Sequence, residues 1–157
     1  MGTLERAIDL AAIAHKDQSD KAGNPYIAHP MRVALDFIRS GDETRAIIAV
    51  LHDVIEDTNI TADALLNEGF SNAIVDAIVA LSRQDGESYE AFLDRAASNE
   101  LARPVKIADL RDNMDASRIA LLPSEKAGRL LAKYEGAMQR LNRLEPSAAM
   151  PEQSQGE

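Results

Sequence analysis

The longest apolar run of the chain, Ala46-Ile47-Ile48-Ala49-Val50-Leu51, offers no polar face to a helix built from it. A helix through this run therefore has to cross the middle of the protein. The segments around it are amphipathic instead. Between Thr3 and about Asp17, residues Leu4, Ile8, Ala11, Ala12 and His15 fall on one stripe of the 3.6-residue period, and Val33, Phe37 and Ile38 do so between Pro30 and Arg39. Gly41 closes that second helix, and Asp42 is a natural N-cap for the central one. Further on, Thr61 caps a short helix from Ala62 to Glu68 that stops at Gly69. Ser71 caps a helix whose inner face is Ile74, Val75, Ile78, Val79 and Ser82, and Ser88 starts one through Tyr89, Phe92, Leu93 and Ala96. Pro104 stands at another helix start, and Ser124 caps a last helix striped by Ala127, Leu130, Leu131, Tyr134, Met138 and Leu141. No hairpin dipeptide and no period-2 run interrupts this order. The pattern predicts an all-α fold, a single helical bundle over residues 1–144, followed by a polar, aperiodic tail over 145–157 that is expected to be disordered.

The 157 residues fit one domain. The absence of cysteine removes disulfides, thiolate nucleophiles and cysteine-based zinc sites together. No apolar run approaches the roughly 20 residues of a membrane span, and the N-terminal residues lack the apolar core of a signal peptide, so a cytoplasmic protein is expected. The formal charge of −9 argues against nucleic acid as a partner, since no long basic face is available to displace counterions from a phosphate backbone. A small anionic substrate stays compatible with that charge if a metal and a few local Lys or Arg side chains neutralise it.

The chemistry gathers where the apolar run ends, at Leu51-His52-Asp53-Val54-Ile55-Glu56-Asp57-Thr58. A buried His followed at once by a carboxylate needs partners, because an unpaired buried charge costs several kcal/mol; a divalent cation supplies a partner to both. Glu56 lies four residues after His52 and Asp57 four after Asp53, one helical turn further along. Acids at a helix C-terminus oppose the macrodipole, so a purely structural end would favour Lys or Arg there. With only His and carboxylates as donors, the ion is hard or borderline: Mn²⁺, Fe²⁺ or Mg²⁺, with Zn²⁺ possible.

The chain has three histidines. His15 shares an apolar stripe and reads as a satisfied core residue in preference to a ligand. His29, just before Pro30, either caps its helix or leans over a neighbouring site. It follows a polar loop, Gln18 to Ala28, punctuated by Gly23 and Pro25. A second acidic element, Lys106-Ile107-Ala108-Asp109-Leu110-Arg111-Asp112-Asn113-Met114-Asp115, places Asp109 and Asn113 on one face, with Asp109 a candidate for burial toward the metal and Asp112 and Asp115 assigned to a solvated surface.

His29, His52-Asp53 and Asp109, in that order, resemble the metal signature of the HD-domain phosphohydrolases. The blocks Ala14-His15 to His29-Pro30, Leu51 to Thr58, and Lys106-Ile107-Ala108-Asp109 with Asn113-Met114 are similar to the hydrolase domain of RelA/SpoT-type alarmone enzymes, above all the small stand-alone hydrolases. The resemblance covers about residues 5–120. It implies a helical HD domain that holds one Mn²⁺, or another divalent ion, through His29, His52, Asp53 and Asp109. It further implies removal of the 3′-pyrophosphate from guanosine tetraphosphate or pentaphosphate, with Glu56 and Asp57 activating or steering the attacking water. Lys21, Asn113, Lys106 and Arg111 are the substrate-binding candidates. Three positions depart from the family: Asp20 stands where an Arg is expected to pack on the guanine base, Leu110-Arg111-Asp112-Asn113 replaces Arg-Leu-His-Asn, and Ala116 replaces a Thr. Two other readings therefore stand beside the alarmone: hydrolysis of a different nucleotide or phosphoester, and a non-catalytic nucleotide-binding module.

Overall fold

The computed structural model describes residues 2–144, which form ten helices and, among these residues, no strand. In chain order they are α1 (Leu4–Ala14), α2 (Ala28–Ser40), α3 (Glu43–Leu51), α4 (Val54–Asp57), α5 (Ala62–Asn67), α6 (Asn72–Ala80), α7 (Tyr89–Ser98), α8 (Ala102–Asn113), α9 (Ala116–Ile119) and α10 (Ser124–Arg143). The tail expected to be disordered lies outside the described residues. No helix described is long and apolar enough to cross a membrane.

Side-chain caps set most of the helix starts, while α2, α4 and α8 begin without one. Thr3, Asp42, Thr61, Ser71 and Ser88 each accept a hydrogen bond from the backbone N–H three residues on, satisfying a donor that the helix leaves free. Ser124 differs from expectation: it is the first residue of α10, and Pro123 occupies the cap position without a side-chain bond. Gly41 ends α2 in the left-handed conformation, at φ 78°, which a side chain would disfavour.

Every residue of Ala46–Leu51 is buried, and α3 packs against α1, α2, α6 and α8. This is the main core. On α1 the buried seam is Ala7, Ala11 and His15, and Ala12 faces solvent; Ile38 of α2 is likewise exposed, because neither residue has a helix packed over it. A smaller cluster, Leu93, Ala97, Leu110, Tyr134, Ala137 and Leu141, seats α10 on α7 and α8. α8 is shared: Ala102 and Val105 belong to the main core and Leu110 to the smaller one. Since neighbours cover it on more than one side, α8 lacks the single apolar stripe of a surface helix.

Ile48 is fully buried at the centre of α3. Ile48→Ala is expected to lower unfolding stability by roughly 2–5 kcal/mol, the cost of the lost burial plus the cavity left behind, as read by urea denaturation. A loss below about 0.5 kcal/mol, within the range of an ordinary surface substitution, would mean that α3 is not the packing centre.

Candidate metal centre

The helix of the apolar run does not continue through the His-Asp pair. It ends at Leu51, His52 and Asp53 form a turn, and α4 restarts at Val54. The carbonyl of Ala49, which a continuing helix would pair with the amide of Asp53, receives His52 Nδ1 at 2.6 Å and the His52 amide at 3.4 Å. This break turns the His52 ring back along the helix and frees Asp53 to face α2 and α8. Of the two readings of His29, capping is set aside: α2 begins at Ala28, so His29 lies buried in its first turn and leans over the neighbouring site.

These residues converge. Ligand atoms of His29, His52 and Asp53 lie within 4.8 Å of one another. His29 Nε2 is 2.9 Å from Asp109 Oδ1 and 3.7 Å from Asp53 Oδ2, and His52 Nε2 is 3.0 Å from Asp53 Oδ2 and 3.5 Å from Asp109 Oδ1. The ring tautomers follow from the partners on the far side. A carbonyl oxygen only accepts, so His52 Nδ1 carries the proton it shares with Ala49. His29 Nδ1 lies 2.7 Å from Asp112 Oδ2, and that carboxylate is held by Arg32 Nε at 2.9 Å and Arg118 Nη2 at 2.8 Å, so His29 Nδ1 also donates. In its neutral form each imidazole then aims a bare Nε2 at a carboxylate oxygen. His52 Nε2 is buried without a hydrogen-bond partner, its 3.0 Å contact to Asp53 lying out of line for one. Two lone pairs facing two carboxylates need a cation between them, and the donor set fits a divalent ion.

Without a cation, protons on the rings take its place. Burial opposes a charge on either imidazole, yet the bonds to Asp109 and Asp112 raise the pKa of His29, and the charge of Asp53 with the Asp109 contact lifts His52 well above its ordinary value. Burial also works against the two carboxylates, but the charge of His52 keeps Asp53 low, and Lys106, then His29 and His52, hold Asp109 well below its usual range. Lys106 Nζ grips Asp109 Oδ2 at 2.8 Å and Asn113 Nδ2 donates to Oδ1 at 3.2 Å, which fixes that carboxylate toward the histidines.

The centre forms the floor of a cavity of about 500 Å³. Glu56 and Asp57 line it from α4. Burial, then the charge of Asp53, pushes both carboxyls above their ordinary range. Tyr26 hydrogen-bonds Asp53 through a short contact and reaches Asp57 Oδ2 at 3.5 Å. Lys21 and Asn113 also line the cavity, whereas Arg111 is exposed on α8 and does not. His15 sits in the core, with Nδ1 2.8 Å from Gln18 Oε1 and its ring against Tyr26, but it is only half satisfied, since its Nε2 is buried without a hydrogen-bond partner. Asp115 caps α9 at the surface. Asp112 is the correction: the solvated surface assigned to it is in fact the space between α2 and α8, where it braces His29. Asp20 accepts from the amides of Ala22 and Asn24 at 2.9 Å each, so its carboxylate closes its own loop.

Residues 7–122 match the model of the HD domain family. Among curated proteins, the chain is 32% identical over 139 residues to a probable GTP pyrophosphokinase of Mycobacterium leprae, covering 82% of this chain and 17% of that protein. It is 33% identical over 138 residues to a bifunctional (p)ppGpp synthase/hydrolase RelA of Mycobacterium tuberculosis, with coverages of 82% and 18%. A guanosine-3′,5′-bis(diphosphate) 3′-pyrophosphohydrolase of Aquifex aeolicus is 29% identical over 120 residues, with coverages of 71% and 17%. The chain thus spans about a sixth of the length of these relatives. A solved structure of a metazoan ortholog of SpoT, described as hydrolysing ppGpp, shares the fold with a TM-score of 0.68 at 18% identity, covering 92% of this chain and 94% of that one.

Removing the brace should be felt at the metal. Asp112→Asn is expected to weaken divalent-cation affinity by about 10–100-fold, as for other partners that orient a ligating His, with the fold retained; calorimetric titration of the metal-free protein reads this directly. Unchanged affinity would leave Asp112 a surface ion pair. The metal-free fold should also depend on pH. The raised histidines stabilise it fully below their unfolded pKa of about 6.5, and this is lost as pH climbs through the higher folded values; the lowered aspartates stabilise it above about 4, and this is lost as pH falls. Thermal melting of the metal-free protein should therefore peak in the weakly acidic range, and a melting temperature that keeps rising above neutral pH would contradict the assignment.

Proposed function

The chain belongs to the HD domain family, and on that premise we propose that it is a cytoplasmic, metal-dependent phosphohydrolase that removes the 3′-pyrophosphate of guanosine tetraphosphate or pentaphosphate. The observation that carries this reading is the pair of Nε2 atoms on His29 and His52 facing Asp53 and Asp109 at the floor of a nucleotide-sized cavity. His29, His52, Asp53 and Asp109 are the proposed ligands and Mn²⁺ the proposed ion. When bound there, a divalent ion supplies Lewis acidity toward a phosphoryl oxygen and a water.

The chain's own residues do the rest. Glu56 and Asp57, lifted above the usual carboxylate range, are suited to take the proton of an attacking water at neutral pH. Tyr26, bonded to Asp53 and within reach of Asp57, keeps the ligand and the base in register. Lys21, with Lys106 and Asn113 as further candidates, faces the phosphates from the cavity wall. The names of the relatives supply the choice of guanosine alarmone. One observation favours a second reading, hydrolysis of another nucleotide: the Asp20 carboxylate is engaged inside its own loop and cannot stack on a base.

A panel of guanosine tetraphosphate, other nucleotides and simple phosphoesters, run with and without Mn²⁺, tests the proposal. Metal-dependent release of pyrophosphate from the alarmone is expected. Release from another nucleotide alone would move the substrate assignment, and no hydrolysis of anything would end the enzymatic reading. On the best substrate, Glu56→Gln should lower kcat by about 10²–10⁴-fold with metal content unchanged. Near-wild-type turnover in both Glu56→Gln and Asp57→Asn would mean that this pair is not the base.

A further inference from the structure

His15 is a buried group that the proposed mechanism leaves unused. It closes α1 and contributes no atom to the metal set. Its tautomer is set through Gln18. Gln18 Nε2 donates to the Asp57 carbonyl at 3.1 Å, and a carbonyl only accepts, so Gln18 Oε1 faces His15 Nδ1 at 2.8 Å and takes a hydrogen bond from it. His15 Nε2 is then bare, buried and without a hydrogen-bond partner. An unpaired buried nitrogen costs stability, and a Phe ring would fill the same seat without that cost. The imidazole is thus kept at a penalty, and the one bond it makes is the one from Nδ1 to Gln18.

That bond is the first of two supports that run from His15 to Asp57. The chain reverses at Asp17, which adopts the left-handed conformation at φ 66°, and this brings Gln18 back against His15, its amide donating to the His15 carbonyl at 3.0 Å. From there the Gln18 side chain reaches across 39 positions of sequence to the carbonyl of Asp57, the last residue of α4, where a helix leaves its carbonyls unpaired. The second support is Tyr26. Its ring lies against His15 with centroids 4.9 Å apart, its amide donates to the Gln18 carbonyl at 2.9 Å, and its hydroxyl reaches Asp57 Oδ2 at 3.5 Å. Gln18 holds the main chain of Asp57, Tyr26 holds its carboxylate, and both rest on one imidazole. Because α4 is a single turn of four residues, too short to be stable alone, its orientation is set by what bonds to its ends.

We infer that His15 is a positioning residue for the hydrolysis: through Gln18 and the ring of Tyr26 it fixes α4, and with it the Asp57 carboxylate that meets the attacking water. The inference rests on the proposed function for that water, and on the relay alone for the placement of α4.

Two variants test it. Gln18 is part-exposed, so Gln18→Met removes both bonds of the relay at little risk to folding, and His15→Phe removes the donor while keeping a ring against Tyr26. In the Mn²⁺-loaded chain, on the best substrate of the panel, each is expected to lower kcat by about 10–100-fold, the scale of a misplaced group near the reaction, with KM and calorimetric Mn²⁺ affinity within about twofold of wild type. The double variant should lose no more than the worse single, because both substitutions break one relay. Hydrogen exchange of the metal-free chain reads the relay without turnover. The amides of Asp57 and Thr58, bonded to the carbonyls of Asp53 and Val54 at 2.9 and 3.1 Å, should exchange about fivefold faster in Gln18→Met, as one lost hydrogen bond allows, with α3 amides unchanged. Unchanged exchange, wild-type kcat in Gln18→Met, losses that multiply in the double variant, or a kcat loss matched by a loss of Mn²⁺ affinity each overturn the inference. If His15→Phe does not fold, Gln18→Met decides. If the wild type hydrolyses nothing, the proposed reaction falls, and exchange still decides whether the relay holds α4.

Discussion

Two imidazole nitrogens, Nε2 of His29 and of His52, face two carboxylates at the floor of the cavity, and the hydrogen bond behind each ring leaves that nitrogen available to a cation. That contact dictates much of the structure around it. His52 can present a bare Nε2 because its other nitrogen is spent on the Ala49 carbonyl, and this same bond ends α3. His29 can do so because Asp112 sits behind it, its carboxylate held low against burial by His29 itself and then Arg32, and bonded also by Arg118. Asp109 is turned toward the rings by Lys106 and Asn113. Without a cation the arrangement is tolerable as long as the histidines hold protons, which is what their raised pKa values describe. A divalent ion replaces those protons and satisfies all four groups at once.

The fold brings three distant segments to this point. His29 comes from the first turn of α2, His52 and Asp53 from the break after α3, and Asp109 from the middle of α8. α3 packs on both α2 and α8, so the three carriers are locked by the same buried run, Ala46–Leu51, that ends at the ligands. Burial of that run and rigidity of the centre are one constraint. The other wall, built from α7 and α10 on a smaller core, carries the aromatic and cationic side chains and contributes none of the proposed ligands.

Much of this was legible in the chain. A wholly apolar hexamer can only be central, and side-chain caps mark most helix starts, so the helical order and the position of His52-Asp53 follow from local pattern. Asp112 was not legible for a physical reason. It stands three residues after Asp109, some 60° away around α8, and whether that side meets water depends on α2 lying there, which no periodicity in α8 reveals. The break at His52 was hidden likewise, since a side chain competing for a helix carbonyl leaves no mark in the apolar pattern. Lys133 and Arg83, fifty residues apart, have nothing in the sequence that links them, and only the fold sets both over the Tyr89 ring.

The most direct measurement of the account is anomalous diffraction at the manganese edge from crystals soaked in Mn²⁺ at neutral pH. One strong peak bounded by Nε2 of His29, Nε2 of His52 and the carboxylates of Asp53 and Asp109, with Glu56 and Asp57 outside bonding distance, is the result predicted. No peak at that position, or a peak held by Glu56 and Asp57 in place of the histidines, would contradict it.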